Sequence, residues 1–389
     1  MTYGFDDSQV NEMMQVVNNP TSEPIRALLE LVLNNLMQIE RERHNQASSH
    51  ERTLARNDSS NGFKPKTLKS RVGELKLNIP QTREKEFYPS CLEKGVRSER
   101  ALKLAIAEMY IQGVSTRKVQ KIFHEMCEMD VTSSEVSRCT KLLDEELEKW
   151  RIRPLGECPY LFLDARYEKV RYEGNIIDVA VLSAIGVNKK GTKMILGVSV
   201  SLSEAEVHWN DFLESLRNRG LHNVELIISD AHSGLSAARK KNFNGILWQR
   251  CFFHVQQNAG SHCSKKSYRK EVAQDIRDVI NSPGKKIAEE MLKTKVLEWE
   301  EKDPKLARWL EETLPQTMVF FSFPRDHWVR IRTNNSAETF NKELKRRTRV
   351  ATLFPNTDSL LRLVSAQAME ISENWETFQC KYIKFENNK

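Results

Sequence analysis

Three acidic residues of this chain stand where carboxylates can do chemistry. Asp164 follows the apolar run 160–163, Asp230 ends the run 226–229, and Glu338 opens a basic, helix-prone stretch. Neighbouring strands lie about 5 Å apart, so carboxylates at adjacent strand ends repel each other unless a cation lies between them. Mg²⁺ prefers oxygen ligands, and two such ions about 4 Å apart promote in-line phosphoryl transfer. The residue types therefore predict a site for two Mg²⁺ (or Mn²⁺) ions acting on phosphodiesters.

The stretch around Glu338 predicts an amphipathic helix with one charged face. Asn334 or Asn335 can cap its start, and helical spacing places Glu338 ahead of several cations on one side. This order suits a metal ion at the glutamate and DNA phosphates along the helix. The cations predicted to contact DNA are Lys342, Lys345, Arg346 and Arg349, and the residues predicted to face the core are Ala337, Phe340 and Leu344.

Five apolar runs and two amphipathic stretches after Pro154 predict the element order βββαβαβ. The first and fourth strands of this order end in Asp164 and Asp230. The order is that of the ribonuclease-H-like fold, in which those two strands lie side by side in parallel. We therefore expect an α/β core with Asp164 at the carboxyl-terminal tip of its strand. The predicted strands are 160–164, 176–187, 192–200, 226–230 and 245–251, and the predicted helices are 207–219 and 234–240.

Three further features lie near these acids. Arg166 points to the same side of its strand as Asp164, so it can contact the scissile phosphate or pair with Glu168. Cys251 and His254 form a single Cys-x-x-His pair, which is poor evidence for zinc. We expect a structural motif, with Cys251 in the core and His254 near the active site. Between the fifth strand and the Glu338 helix the sequence is charged and helix-prone, which predicts an all-helical insertion that covers DNA or braces the fold.

Residues 61–152 have the pattern of a DNA-binding region. Residues 61–100 carry ten Lys and Arg against five acids, and 71–79 alternate like a strand or hairpin. Helices are predicted at 99–112, 116–127 and 133–150, the last opening on a Thr132/Glu135 capping box. Two helices joined by a tight turn are typical of a helix-turn-helix, although an ordinary helical packing unit has the same pattern. The residues predicted to contact DNA are Lys64, Lys66, Lys69, Arg71, Ser133, Ser134 and Arg138.

Composition supports an intracellular nucleic-acid-binding protein. The chain has 389 residues, a net charge of +7 and seven scattered cysteines without a Cys-x-x-Cys pair, so neither a disulfide framework nor a four-thiolate zinc site is indicated. It has no apolar run long enough to cross a membrane, and its first ten residues lack the pattern of a signal peptide. We expect a cytoplasmic, nucleoid-associated protein with no membrane contact. A leucine-rich helix at 22–41 needs a packing partner, for which a second copy of the chain is one candidate.

Five stretches together resemble the bacterial Mutator-type insertion-sequence transposases: NGFKPKTLKSRVGELKLNIP, FLDARYEKVR, ISDAHSGL, RCFFH and RTNNSAETFNKELKRR. The resemblance covers about Asn61 to Arg349. The family usually has a bulky aliphatic residue and then Glu-Arg-Leu-Asn, whereas here Ala337 precedes Glu338-Thr339-Phe340-Asn341. The resemblance implies a DD(E) transposase with a ribonuclease-H-like core, in which Asp164, Asp230 and Glu338 hold two Mg²⁺.

The resemblance also implies partners and a route. These are double-stranded DNA, as terminal inverted repeats and as target, a homodimer or higher homo-oligomer, and copy-out/paste-in transposition. Two alternatives remain from the residues alone: a ribonuclease-H-like nuclease without strand transfer, and a non-enzymatic helix-turn-helix regulator. The expected divisions are an N-terminal helix and linker for dimerisation (1–60), the DNA-binding region (61–152), the first part of the core (153–258), the helical insertion (259–328) and the last part of the core (329–389).

Overall fold

The chain forms two compact units, Met1–Leu143 and Asp144–Lys389. A computed structural model describes residues 7–18, 24–48, 51, 53–70, 72–84, 87–92, 94, 100–111, 114, 116–127, 129–349, 353–378 and 380–385. Each unit has its own apolar clusters, so each is described by itself.

The first unit opens with two helices and a β-hairpin. These elements are α1 (Asp7–Asn18), α2 (Pro24–Asn45), β1 (Ser60–Ser70) and β2 (Gly73–Thr82). Alternate residues of β2, namely Leu75, Leu77 and Ile79, are buried against Met37 of α2. The leucine-rich stripe of α2 therefore packs on a hairpin of its own chain. Sequence analysis missed α1, and it predicted the hairpin, which the structure confirms.

Three helices complete the first unit: α3 (Arg100–Ile111), α4 (Thr116–Cys127) and α5 (Ser133–Thr140). They share one apolar core, and the predicted capping box is present, with the Thr132 hydroxyl accepting from the Glu135 N–H at 3.2 Å. The prediction of a single helix over 133–150 is wrong. A 3₁₀ turn at 141–143 separates α5 from α6 (Asp144–Ile152), because Leu143 packs in this core whereas Trp150 packs in the core of the second unit.

A five-stranded sheet forms the centre of the second unit. Its strands are β3 (Tyr160–Tyr172), β4 (Asn175–Val187), β5 (Lys193–Ser201), β6 (Leu226–Ser229) and β7 (Leu247–Arg250). They lie in the order β5-β4-β3-β6-β7. The first three are antiparallel neighbours, whereas β6 and β7 run parallel to β3. The unit is thus mixed α/β, and the predicted parallel pairing of the strands that precede Asp164 and Asp230 is confirmed.

Helices cover both faces of this sheet because its inner strands are apolar on both sides. Leu161 and Leu163 of β3 face α7 (Glu206–Asn218) and α8 (Ser233–Asn242), while Tyr160 and Phe162 face the other side. The helices on that other side are α9 (Phe252–His262), α10 (Tyr268–Ile280), α11 (Lys285–Lys302), α12 (Pro304–Thr313), α13 (Trp328–Ile331), α14 (Asn335–Thr348) and α15 (Thr357–Thr377).

Between β7 and α14 the described chain is helical or in short turns, as the charged, amphipathic sequence predicts. This helical segment, 252–331, holds buried carboxylates that are fully engaged. Asp275 is 8% exposed, accepts from Trp299 Nε1 at 2.9 Å and pairs with Lys295 Nζ at 3.1 Å. No helix of the described residues is both long and apolar enough to cross a membrane.

Candidate active site

Asp164 and Asp230 come together where β3 and β6 stop pairing. The parallel register joins Tyr160 to Leu226 and Phe162 to Ile228, so extending it by two residues sets Asp164 beside Asp230. Asp230 follows the last residue of β6, as predicted. The prediction that Asp164 sits at the tip of its strand is wrong. β3 loses β6 as a neighbour after Phe162 but keeps β4, so it continues to Tyr172 as one arm of a ribbon.

The helix α14 brings the third acid to the same place. Ala337, Phe340 and Leu344 are fully buried on its core side, as the sequence predicts. On another side, Asn341 Nδ2 donates a hydrogen bond to Asp164 Oδ2 at 2.7 Å. Glu338 precedes Asn341 by three residues, hence by about one turn on a neighbouring face of the helix. The carboxylates of Asp164 and Glu338 are thereby electrostatic neighbours.

Negative charge accumulates at this edge of the sheet. Burial, together with the carboxylates of Glu338, Asp230 and Glu204, raises the pKa of the Asp164 carboxyl to about 7, against a backbone hydrogen bond from Ala165 that lowers it. Perturbed carboxyl groups of this kind are concentrated at functional sites. Positive charge from a ligand would relieve the repulsion among these groups.

The side chains at this edge include an oxygen donor of the kind that a divalent cation binds. Glu338 Oε1 is buried and has no hydrogen-bond partner within the described part of the chain. A buried carboxylate oxygen without a donor is unfavourable, and such oxygens are the ligands that Mg²⁺ prefers. In their present conformations, the acidic side chains do not form a complete set of metal ligands. Among the residues that the structure describes, no three His, Cys, Asp or Glu side chains form a group able to hold a metal ion.

Glu204 is a fourth carboxylate at the site that sequence analysis did not single out. It lies on the loop between β5 and α7, its side chain is 14% exposed, and its Oε2 lies 3.7 Å from His232 Nδ1. Gly234 holds this loop close to α8, since a Cβ there would come within 2.2 Å of the Glu204 carbonyl oxygen. The sequence offers no period or motif around Glu204 that would have marked it.

Arg166 has an internal partner. Its guanidinium pairs with Glu168 Oε1 at 2.6 Å and donates to the Asn341 carbonyl at 2.7 Å. Glu168 in turn accepts from the Thr348 hydroxyl at 3.0 Å. The structure thus shows the charge pair that was the alternative interpretation of Arg166, and these contacts fasten α14 along β3. A contact of Arg166 with phosphate stays a prediction.

The predicted cationic face of α14 is accessible. Lys342, Lys345, Arg346 and Arg349 are all exposed, and Arg346 lies 3.2 Å from Glu343 in a solvent-exposed pair. A row of exposed cations on the helix that carries Glu338 is the arrangement that phosphate binding requires. Their contact with DNA is a prediction that the geometry allows.

The predicted DNA-contact residues of the first unit divide into accessible and engaged ones. Lys64, Ser134 and Arg138 are exposed. Lys66 Nζ donates to Tyr88 Oη at 2.7 Å, and Lys69 Nζ donates to the Asp130 carbonyl at 2.9 Å and pairs with Glu135 at 3.3 Å. These contacts favour a structural role for Lys69, which ties the hairpin to α5. Arg71 and the side chain of Ser133 lie outside the described residues.

Cys251 lies in the core, as expected, at the end of β7. Burial raises the pKa of its thiol to about 11, so the thiol is neutral at physiological pH. His254 is half-buried and its Nδ1 has no hydrogen-bond partner among the described residues. The Cys251 Sγ accepts a hydrogen bond from the backbone N–H of Asn334 at 3.2 Å, which favours a structural role for this cysteine.

The chain belongs to the Mutator family of transposases. The pattern of the family described as "Transposase, Mutator family" matches residues 5–377, which confirms the resemblance drawn from the motifs.

Individual relatives match nearly the whole chain. It is 48% identical over 377 residues to the transposase for insertion sequence element IS406 of Burkholderia multivorans, covering 94% of this chain and 97% of that protein. It is 40% identical over 361 residues to the transposase for ISRM5 of Rhizobium meliloti, covering 92% and 90%. It is 33% identical over 380 residues to the transposase for IS256 in transposon Tn4001 of Staphylococcus aureus, covering 96% and 97%.

Proposed function

We propose that this transposase mobilises a bacterial insertion sequence by cutting and rejoining DNA at one site, formed by Asp164, Asp230 and Glu338. The core would be ribonuclease-H-like, with the order βββαβαβ followed by the helix of the third acid. One observation carries this proposal: the parallel register of β3 and β6, extended by two residues, sets Asp164 beside Asp230, and α14 is bonded to Asp164.

The three carboxylates would hold two Mg²⁺ (or Mn²⁺) ions. When bound, such ions activate the attacking oxygen and stabilise the leaving oxygen of an in-line phosphoryl transfer. Asp164 must be ionised to bind a cation, and positive charge would favour its ionised form, whose pKa burial and the neighbouring carboxylates raise to about 7. Glu338 supplies an oxygen that has no competing hydrogen bond in the described structure. Rotation of the acidic side chains would close the ligand set.

The neighbouring residues would orient the acids and the DNA. Asn341 holds Oδ2 of Asp164 in place through its side-chain amide. The exposed cations of α14 would bind phosphates of the strand that enters the site, because they lie on the helix of Glu338. Strand cleavage by water would free a 3′-hydroxyl, which then attacks a second phosphodiester. No covalent protein intermediate is required.

Recognition of the element ends would belong to residues 61–152. The hairpin and the helices α4 and α5 would bind the terminal inverted repeats, with Ser134 and Arg138 accessible on α5. A homodimer or higher homo-oligomer would hold two ends together, and the route would be copy-out/paste-in. Both the assembly and the route follow from the family.

Incubation with Mg²⁺ and a labelled duplex that carries a cognate element end tests the proposal. Joined products support a transposase of this mechanism. Nicks without joining would indicate a nuclease, and bound but intact DNA would indicate a regulator. Either result overturns the proposal. Alanine at Asp164, Asp230 or Glu338 should abolish cleavage and joining while DNA binding persists, and cleavage retained in all three variants would exclude the site.

A further inference from the structure

Cys251 is bonded to elements that carry two of the three acids. Its backbone N–H donates to the carbonyl of Ser229, the residue before Asp230, at 2.8 Å. Its Sγ accepts from the backbone N–H of Asn334 at 3.2 Å. Cys251 is fully buried, so solvent does not compete for these bonds. One residue thus joins the end of β6 to the start of α14.

Asn334 extends the chain of bonds to the remaining acid. It occupies the N-terminal boundary of α14, where the sequence predicts a capping side chain, but its side chain does not cap the helix. Its Nδ2 donates instead to the carbonyl of Leu163, the residue before Asp164, at 2.9 Å. Its carbonyl accepts from the N–H of Glu338 at 3.0 Å. Asn334 therefore forms hydrogen bonds with the backbone next to Asp164 and with the backbone of Glu338.

The burial of Asn334 indicates that its amide is there to position the neighbouring backbone rather than to stabilise the fold. Asn334 is fully buried, and its Oδ1 has no hydrogen-bond partner within the described part of the chain. A buried polar atom without a partner costs about 1–3 kcal/mol. An apolar residue would avoid that cost, but it could not donate to Leu163.

We infer that Cys251 and Asn334 are positioning residues that form one clamp, running from Ser229 through Cys251 and Asn334 to Leu163, and that the clamp sets the spacing of Asp164, Asp230 and Glu338. This inference rests on the proposed function of the three acids. Each of its bonds ends on the residue before an acid or on the first turn of the helix of Glu338. Metal-dependent sites lose activity when ligands shift by about 1 Å.

The clamp gives Cys251 of the Cys-x-x-His motif a positioning role. Because a C–S bond is longer than a C–O bond, the Cys251 sulfur reaches farther from its Cβ than a serine hydroxyl would, and it meets the Asn334 N–H at 3.2 Å between β7 and α14. A serine hydroxyl keeps an acceptor there but reaches less far. Serine should therefore retain part of the effect, and alanine none of it.

The test compares Cys251→Ala and Asn334→Ala with a matched control, Cys158→Ala. Cys158 is buried to 1% exposure in the cluster beside α7 and α8, on the face of the sheet away from α14. Three quantities are measured for each full-length variant: thermal stability, affinity for an element-end duplex, and cleavage rate as a function of Mg²⁺ concentration. The first two report on folding and DNA binding, and the third reports on the placement of the acids.

We expect both clamp variants to cleave about tenfold more slowly or to need about tenfold more Mg²⁺ for half-maximal cleavage, the usual range for groups that orient metal ligands. Their DNA affinity should stay within about twofold of the wild type. Cys158→Ala should lower stability comparably and leave the Mg²⁺ requirement unchanged. Cys251→Ser should need an intermediate Mg²⁺ concentration for half-maximal cleavage. If an alanine variant fails to fold, Cys251→Ser serves as the test variant instead.

Clamp variants that match Cys158→Ala in rate and Mg²⁺ requirement would overturn the inference. So would Cys251→Ser behaving as wild type when the alanine variants do not fold. Failure of the proposed function has a different signature, because the wild-type protein itself would cleave at no Mg²⁺ concentration. That result would contradict both the proposed site and the clamp that depends on it.

Discussion

Two regions of the second unit bury acidic side chains in opposite ways. In the helical segment 252–331, Asp275 has the indole N–H of Trp299 and the ammonium of Lys295 as partners. At the edge of the sheet, the side-chain donor that reaches Asp164 is the neutral amide of Asn341, and Glu338 Oε1 is buried without a donor in the described structure. The residue types are alike, but Asp275 has both a hydrogen-bond donor and a cation in direct contact, whereas Glu338 Oε1 has neither among the described residues.

On the proposed function, the difference separates carboxylates that stabilise the fold from carboxylates that bind a ligand. A buried charge is tolerated when donors and cations surround it, as at Asp275. At the sheet edge four carboxylates influence one another, and the pKa of Asp164 rises to about 7 mainly through burial. Repulsion of this kind is unfavourable for the fold, and we propose that the region is arranged to bind a cation at the expense of stability.

Matched substitutions should separate the two roles most strongly. Asp164→Asn should lower cleavage at least about a thousandfold, since it removes a charged metal ligand, and it should leave the folded state as stable as before or more stable. Asp275→Asn should destabilise the protein by about 1–3 kcal/mol through loss of the Lys295 pair, with cleavage per folded molecule unchanged. Single-turnover cleavage and urea unfolding measure both effects. A loss of cleavage per folded molecule in Asp275→Asn would contradict the difference between the two regions.

The pH dependence of the free energy of unfolding should show a smaller effect of the same difference. Because the folded pKa of Asp164 is about 7, above its ordinary value of 3.8, the folded state holds a proton that the unfolded state has released. The stabilising contribution is complete below about pH 4 and is lost as pH rises to about 7, by roughly 2–4 kcal/mol. Urea unfolding across this range, without metal, should show the loss in the wild type and not in Asp164→Asn. Parallel curves for the two proteins would contradict it.

The smallest effect concerns the cations. Lys345→Gln, on the exposed face of α14, should weaken DNA binding about twofold to fivefold and lower the salt slope by about 1. Lys69→Gln should leave the salt slope unchanged and cost about 0.5–1 kcal/mol of stability, because Lys69 is engaged by Asp130 and Glu135. Binding titrations at several salt concentrations measure both. A reduced slope for Lys69→Gln would restore its predicted contact with DNA.

Much of the fold was predictable because local patterns and tertiary packing agree. The order of strands and helices along the second unit, the buried side of α14 and the Thr132/Glu135 capping box follow from periodicity and turn chemistry, and the parallel pairing of β3 with β6 follows from the ribonuclease-H-like order of those elements. The errors lie where distant packing prevails over local pattern. The helix predicted over 133–150 is interrupted because its two ends join different cores, and β3 continues past Asp164 because β4 still pairs with it.

The amino-acid sequence by itself determined which residues are candidates for chemistry, because residue types and their spacing reveal carboxylates after apolar runs and cations at helical spacing. Only the tertiary structure decided which side chains meet. Asn341 bonds Asp164, Asn334 bonds Leu163 instead of capping its helix, and Glu204 joins the acids from a loop without a motif. Hydrogen bonds and charge interactions act over a few ångströms in space, and a linear pattern does not record which distant residues the fold brings within that range.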